Sequence, residues 1–322
     1  MATPFLIGAS AGLVSAALFG SAATATALAG ILFYLAPLPI CLAGLGWGTT
    51  AAAIAALAGT VVVGSVLGLA TGAIFTGAVA MPMALLCYLA LLSRPAVGPQ
   101  GKASGALEWY PIGRLVGWAA VIAGVLAAIM VLMLGYDTDS YRDSIKDLLQ
   151  HSALKELDRD GTLINETTIG SLSSLLARTL PAAFAIVCQT VALFNLWLAG
   201  VIVEASGRAL RPWPQMDAIE LPNAVFLAFT GSLLASFLPG LAGLLATGLA
   251  GALLFAYVLQ GLAVLHAFTR GMAFRGLLLT VIYIGILLLG WVAIAIAILG
   301  LSEPMLRLRD RAARRGQPPT QD

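Results

Sequence analysis

Residues 35–48 read LAPLPICLAGLGWG, and two prolines, Pro37 and Pro39, interrupt this otherwise apolar run. Proline lacks the backbone N–H that continues a helix, and its ring clashes with the preceding turn. A break inside apolar sequence has two explanations here. Either a helix breaks at membrane depth, where its freed backbone groups line a cavity or pack against protein, or the prolines form a tight loop near a bilayer face.

The surrounding sequence predicts an integral membrane protein. Hydrophobic residues make up 60% of the 322 residues and charged residues 10%, whereas a soluble domain has about 25% charged residues. The mean hydropathy is +0.97. No Asp, Glu, Lys or Arg precedes Arg94, and this uncharged stretch is far longer than a cleaved signal peptide. Because the apolar runs are continuous rather than alternating, we expect an all-α, polytopic helix bundle.

Nine apolar segments are close to the roughly 20 residues that a helix needs to cross a bilayer. They are 5–22, 25–45, 49–68, 71–93, 111–135, 176–203, 222–238, 241–268 and 276–301. The first four are joined by short links of Gly, Ala and Thr. The spacing Gly8-xxx-Gly12 permits close helix approach, although small residues are abundant throughout the chain.

Charge placement predicts the orientation in the membrane. The polar segments 94–110 and 204–221 each carry two Lys or Arg residues, and the last residues carry five arginines, whereas 136–172 has eight acidic and four basic side chains. The positive-inside rule, which counts Lys and Arg, places these two segments and the tail in the cytoplasm and the acidic segment outside. We expect a transmembrane domain over 1–304 and an Arg-rich cytoplasmic tail over 305–322, in a bacterial inner membrane with both termini cytoplasmic.

Nine crossings would leave the tail outside, so one of the nine segments is expected not to cross. The segment 222–238 is short and is bounded by Pro222 and Pro239. We expect it to be a re-entrant or interfacial helix, which leaves about eight spans within a range of seven to nine. This assignment places Arg270 and Arg275 outside.

One part of the acidic segment has helical periodicity. Its apolar face predicts a short amphipathic helix that rests on the membrane or on the bundle. The residues on that face are Tyr141, Ile145, Leu148, Leu149 and Ser152.

The sequence ELDRDGTLIN then places Glu156, Asp158, Asp160 and Gly161 at positions 1, 3, 5 and 6 of a calcium-binding loop. Position 12 is Thr167 rather than Glu, so the bidentate ligand of such loops is missing. We interpret this stretch as a solvated acidic turn and expect no metal site.

Polar side chains inside apolar spans mark the candidate site, because such residues face a bundle interior or a cavity. Gln189 and Asn195 lie in the sixth segment, and Tyr257 and Gln260 share a helix face in the eighth. We interpret these four as candidate substrate-binding residues. The alternative is that they form hydrogen bonds between helices and hold the bundle together. His266 lies near a helix end, where solvation is the simpler interpretation.

Motifs for enzymatic chemistry are scarce. The sequence has no GxxxxGK[ST], HExxH or CxxC pattern. The three cysteines, Cys41, Cys87 and Cys188, fall in apolar runs and are expected to act as small apolar residues. We therefore expect no enzyme activity, no cofactor and no metal ion.

Four stretches carry a resemblance to a known family. They are YLAPLPICLAGLGWG, CQTVALFNLWLAGVIVEASGR, YVLQGLAVLHAF and the closing ILGLSEPMLRLRDR, in which Glu303 precedes the Arg-rich stretch. With these stretches the chain resembles the YybS-like, DUF2232 family of bacterial membrane proteins. The resemblance covers nearly the whole chain and implies a multi-pass inner-membrane protein whose family has no settled biochemical function.

The N-terminal half also resembles, more loosely, the substrate-capture (S) components of energy-coupling-factor vitamin transporters. That resemblance implies a small hydrophobic or vitamin-like solute and an ATPase supplied by other chains. This chain has additional spans after residue 176, so no substrate is transferred from the resemblance.

Two functional hypotheses follow. The first is a solute-binding, transport-related component whose cavity lies between the first four helices and the sixth segment. The second is a non-transporting scaffold that recruits membrane or cytoplasmic proteins through 204–221 and the tail, whose arginines could instead bind anionic lipid. The expected partners are the lipid bilayer, a small hydrophobic solute and other proteins, with no nucleic acid.

Overall fold

The computed structural model describes residues 2–24, 26–97, 103–150, 166–306 and 309, and these are almost entirely helical. The helices are α1 Ala2–Gly20, α2 Ala27–Tyr34, α3 Leu38–Trp47, α4 Thr49–Leu67, α5 Leu69–Phe75, α6 Met81–Leu91, α7 Ile112–Leu134, α8 Thr138–Gln150, α9 Glu166–Ala205, α10 Asn223–Ala235, α11 Leu241–Phe268, α12 Arg275–Leu288 and α13 Gly290–Leu306. A π-helical turn, Thr76–Ala80, joins α5 to α6, and short 3-10 turns occupy Ser21–Thr24 and Met216–Ala218.

Within these ranges, seven helical stretches are long and apolar enough to cross a membrane. They are Thr3–Thr24, Ala27–Trp47, Thr49–Leu67, Leu69–Leu91, Ile112–Leu134, Ile169–Ala205 and Leu241–Phe268. The pair α12 and α13 would add an eighth if it formed one span, but the two helices are bent by 119°. The predicted all-α, polytopic bundle of about eight spans is therefore confirmed.

A β-hairpin occupies most of the polar segment 94–110, which composition alone did not indicate. Strands β1 Ser93–Val97 and β2 Ala103–Trp109 pair antiparallel. Arg94 lies opposite Glu108, and their side chains form an ion pair. Cross-strand pairs of opposite charge stabilise such a hairpin, although its Pro and Gly content is typical of loops.

The chain divides into two compact units. Unit 1 comprises Met1–Ala119 and Cys188–Gln215, and unit 2 comprises Ala120–Val187 and Met216–Asp322. Helix α9 contributes its first part to unit 2 and its second part to unit 1.

In unit 1, small residues bring α1 and α4 close together. A Cβ atom added at Gly8 would lie 2.7 Å from the carbonyl oxygen of Ala51, and one added at Gly12 would overlap the carbonyl oxygen of Ala55. The two helices approach this closely only because both positions lack a side chain. The Gly8-xxx-Gly12 spacing thus marks a real helix contact.

In unit 2, the amphipathic helix α8 packs on protein. Tyr141 and Ile145 are buried against Val131 and Ala177 in one apolar cluster, with Leu149 partly buried beside them. The buried row follows the i, i+4, i+8 ridge of the helix. The predicted apolar face is thereby corrected, because Leu148 falls beside this ridge and is 58% exposed.

The rest of the acidic segment lies outside the described residues. This applies to Ser152 and to the sequence resembling a calcium loop, 156–165.

The structure contradicts one part of the predicted orientation. The Arg270 guanidinium pairs with the carboxylate of Asp217, and Arg309 donates to the carbonyl oxygens of Asp217 and Ile219. Arg270 and the 204–221 segment were predicted on opposite sides of the membrane, but they meet at one end of unit 2. Counting positive charges along the chain could not reveal this, because the count ignores which charges pair.

A short helix, α10, lies in the chain between Asp217 and Arg270. Helix α10 has 13 residues and is about 20 Å long, which is shorter than the roughly 30 Å hydrocarbon layer. Residues 219–222 before it are non-helical and add up to about 13 Å. Ile219 and Leu221 are buried, whereas Glu220 between them is exposed.

Candidate functional site

The proline break lies in the middle of an apolar helical stretch, Ala27–Trp47. Helix α2 ends at Tyr34, residues 35–37 form a turn, and α3 begins at Leu38. Pro37 is the N-cap of α3, Pro39 lies in its first turn, and both prolines are buried. Carbonyl groups freed at such a break must find donors within the protein.

Two side chains of unit 1 donate to the carbonyls at this break. The Ser15 hydroxyl donates to Ala36 O at 2.6 Å, and the Asn195 amide nitrogen donates to Tyr34 O at 2.9 Å. The same nitrogen donates to Val191 O at 2.8 Å. Asn195 is fully buried, and its Oδ1 has no hydrogen-bond partner among the described residues. Asn195 therefore supports the broken helix and keeps one unused acceptor.

Gln189 differs from every other predicted site residue. It is fully buried, and neither its Nε2 nor its Oε1 has a hydrogen-bond partner in the described part of the chain. Burying an amide without a hydrogen bond costs about 1–3 kcal/mol in proteins. Gln189 precedes Asn195 by six residues on α9, or about 9 Å along the helix. Among the described residues of unit 1, buried side-chain atoms without a hydrogen-bond partner are found on Gln189, on Asn195 and at Arg211 Nε. The first two lie on α9 and are the ones that a solute could satisfy.

In unit 2, by contrast, both polar atoms of Gln260 form hydrogen bonds. Its Oε1 accepts from the backbone N–H of Leu221 at 2.7 Å, and its Nε2 donates to Gly300 O at 2.7 Å. The side chain thus joins the non-helical residues before α10 to helix α13. This geometry favours the interhelical interpretation of Gln260 over substrate binding.

Tyr257 and His266 also make contacts within unit 2. The buried Tyr257 ring lies 5.5 Å from the Phe229 ring. A ring nitrogen of His266 lies 2.9 Å from Leu262 O, and the ring faces Tyr283 at 6.1 Å. These contacts hold α11 against α10 and α12.

A partly buried ion pair after the end of α13 was not predicted from the sequence. Arg309 Nε donates to Glu303 Oε1 at 2.9 Å, and its Nη1 donates to Asp217 O at 2.9 Å and to Ile219 O at 3.0 Å. The sequence feature that could have indicated this pair is the spacing of six residues between Glu303 and Arg309 in the closing stretch. The other tail arginines, including Arg314 and Arg315, lie outside the described residues.

The contacts of Arg211, in the 204–221 segment, were also not predicted from the sequence. Its guanidinium donates to Ala90 O at 2.8 Å, at the end of α6, and lies 5.9 Å from the centre of the Trp109 ring. Desolvation by burial lowers the pKa of Arg211 from its ordinary value. The surrounding sequence RPWP (211–214) was the available signal.

Two cavities are formed by described residues of unit 1. One of about 290 Å³ lies beside the β-hairpin, and a water-sized one of about 10 Å³ lies beside Arg211. Neither is lined by Gln189 or Asn195.

The sequence GASAG at residues 8–12 has the GxSxG spacing of a hydrolase nucleophile elbow. That elbow requires a sharp turn from a strand into a helix. Ser10 instead lies within the continuous helix α1 and donates to Ile7 O. It is an ordinary helix residue.

Comparison with known proteins gives one match. A family model described as "Predicted membrane protein (DUF2232)" matches residues 13–302. No curated protein and no solved structure matches the chain. The predicted DUF2232 resemblance is therefore confirmed, and the resemblance to S components stays a prediction.

Proposed function

The chain belongs to the DUF2232 family of predicted membrane proteins, and from this premise we propose that it is a solute-binding, transport-related component without an ATPase of its own. The site would centre on Gln189, with Asn195 as its second polar residue. The observation that carries the proposal is the fully buried Gln189 amide, whose two polar atoms have no partner among the described residues.

A bound molecule could offset the free-energy cost of burying the unpaired Gln189 amide. A glutamine that serves only packing would be replaced by leucine at no cost, because an unsatisfied buried amide destabilises the fold. Its cost is offset if a bound molecule supplies a donor and an acceptor. The unused Oδ1 of Asn195 adds a second acceptor about 9 Å along the helix. These groups suit a small, largely apolar solute that carries an amide-like or similar hydrogen-bonding group.

The test is native mass spectrometry of the protein purified from its own membrane in mild detergent, with bound small molecules identified. We expect a stoichiometric small molecule that is lost in Gln189→Leu and retained in the neighbouring control Cys188→Ala. Asn195→Leu is a less specific test of solute binding, because it also removes the donor to Tyr34 O. A ligand-free preparation of the folded wild type, or equal retention by Gln189→Leu, would refute the proposal.

The second candidate is the scaffold, and a specific observation favours it. The Asn195 amide nitrogen and both polar atoms of Gln260 bond to backbone groups, which is how a packed, non-transporting bundle uses polar residues. Recruitment would then run through the 204–221 segment and the tail. A stable co-purifying protein that is lost in the double variant Arg314→Gln/Arg315→Gln, without a small molecule, would select this function.

For the membrane orientation, we infer that residues 219–240 and α11 make two crossings and that α12 with α13 is re-entrant. The support is the meeting of Asp217, Arg270 and Arg309 at one end of unit 2. With the six earlier stretches this gives eight crossings, and the positive-inside rule places that end and both termini in the cytoplasm of a bacterial inner membrane. A cysteine at Arg275 should then react with an impermeant thiol reagent only in inside-out vesicles, and a cysteine at Thr138 only in right-side-out vesicles.

A further inference from the structure

The cavity beside the β-hairpin lies where two apolar helices end. Helix α6 ends at Leu91 and α7 begins at Ile112, and both belong to stretches long and apolar enough to cross a membrane. The hairpin joins these two ends, and the backbone N–H of Tyr110 donates to Leu92 O at 2.9 Å to close the join. The cavity of about 290 Å³ therefore lies at the level of lipid headgroups.

The lining of the cavity carries a net positive charge. Arg94 and Glu108 line it and neutralise each other through two hydrogen bonds of 2.8 and 3.0 Å. Arg114 also lines it and has no acidic partner among the described residues. One unit of positive charge is thus left at the mouth of a polar cavity.

Hydrogen-bond donors accompany this charge. The Tyr110 oxygen accepts from the Trp118 indole N–H at 3.2 Å, which leaves its own O–H available to donate. Arg94 uses Nε and Nη2 on Glu108, so its Nη1 group can donate elsewhere. Ser93, which carries a hydroxyl group, is also among the lining residues. A guanidinium with several neutral donors is suited to a phosphate group.

The surface next to the cavity is apolar, which decides between a lipid and free phosphate. Trp118 lies four residues after Arg114 on α7 and is 45% exposed, and Leu107 on β2 is 54% exposed. Positions i and i+4 share a helix face. A ligand held at Arg114 by its charged end would therefore lay an apolar part along Trp118.

We propose that this cavity binds the phosphate-bearing headgroup of an anionic membrane lipid, with Arg114 contacting the phosphate and Trp118 contacting the acyl chain. The site is independent of Gln189 and of any solute. It makes the hairpin a lipid-dependent clamp between the ends of α6 and α7.

The experiment uses the full-length protein in mild detergent and native mass spectrometry with added phosphatidylglycerol or phosphatidylcholine. We expect one phosphatidylglycerol to bind in preference to phosphatidylcholine, and about tenfold weaker binding in Arg114→Gln, as expected for loss of a hydrogen bond to a charged group. Arg114→Lys, which keeps the charge, should retain most of the binding. Arg142→Gln, at another exposed arginine, should bind as the wild type does.

Four results would overturn the proposal. Equal binding of the two lipids would remove the role of the anionic headgroup. An equal loss in Arg142→Gln, or no retention in a folded Arg114→Lys, would remove the role of this cavity. Displacement of phosphatidylglycerol by an equal concentration of inorganic phosphate would identify free phosphate as the ligand. Arg114 is exposed, so we expect Arg114→Gln to fold, and its unfolding temperature checks this.

Discussion

Two fully buried glutamines with opposite hydrogen bonding provide a matched pair of substitutions. Gln260 bonds to Leu221 N and Gly300 O, whereas neither polar atom of Gln189 has a partner in the described chain. Leucine is close to glutamine in volume and has no polar atoms, although its side chain branches one carbon earlier. The same change, Gln→Leu, should therefore have opposite consequences at the two positions.

The magnitudes follow from the groups left behind. Gln260→Leu leaves a buried backbone N–H and a buried carbonyl unsatisfied at about 1–3 kcal/mol each, or about 2–6 kcal/mol in total. At about 2 °C per kcal/mol this lowers the unfolding temperature by at least about 4 °C. Gln189→Leu removes an unsatisfied amide and leaves no new one, so the ligand-free protein should keep or raise its unfolding temperature.

The assay is thermal unfolding in one detergent, followed by the fluorescence of the six tryptophans, after dialysis to remove bound solutes. Two ordinary hydrogen bonds between membrane helices contribute about 1 kcal/mol together. A loss below that value in Gln260→Leu would refute the view that Gln260 supports the non-helical backbone before α10. Destabilisation of ligand-free Gln189→Leu by more than about 1 kcal/mol, the net contribution of one hydrogen bond, would show that Gln189 has a partner within the protein.

Three further predictions concern packing and charge. Gly12→Ala should destabilise the protein by about 1–3 kcal/mol, because overpacking separates α1 from α4. Gly30→Ala should not destabilise it, because Gly30 has open space around it. Both variants are measured by thermal unfolding, and equal effects would contradict the close contact of α1 with α4. Tyr141→Phe should be neutral or stabilising in the same assay, since the buried hydroxyl has no partner among the described residues. In the wild type, burial raises the pKa of Tyr141 to about 12, so absorbance titration should find this tyrosine protonated up to pH 11. Phosphatidylglycerol binding should be constant from pH 5 to 8, because Arg94 lowers the pKa of Glu108 from its ordinary value of 4.5 and the Glu108 carboxylate therefore stays charged throughout that range. The charge is lost only as the pH falls through the lowered pKa. The cavity then gains positive charge, and binding should tighten.

Much of the architecture could be predicted from local sequence. Continuous apolar runs of about 20 residues require helices in a membrane, and the absence of charge before Arg94 left few other folds. The row Tyr141, Ile145 and Leu149 predicted the buried face of α8, since its spacing is a property of the helix alone. Leu148 was misplaced because only the contacting helices decide how wide that face is.

The orientation of the later helices depended on contacts that no charge count contains. Arg270 was placed outside by its position in the chain, but its partner, Asp217, precedes it by 53 residues. The 13-residue helix α10 was too short for a span by its own length. Residues 219–222 extend the chain before it, and Gln260 and Arg309 bond to backbone groups of Leu221 and Ile219 there.

The sequence by itself determined that this chain is a helical membrane protein and that a few amides lie in its apolar spans. It could not distinguish Gln189 from Gln260, because both are glutamines in similar apolar helices. Tertiary structure decided between them, since the partners of Gln260 are backbone atoms 39 and 40 residues away. A side chain's type fixes which hydrogen bonds it can make, but only the packed fold decides which of them are made.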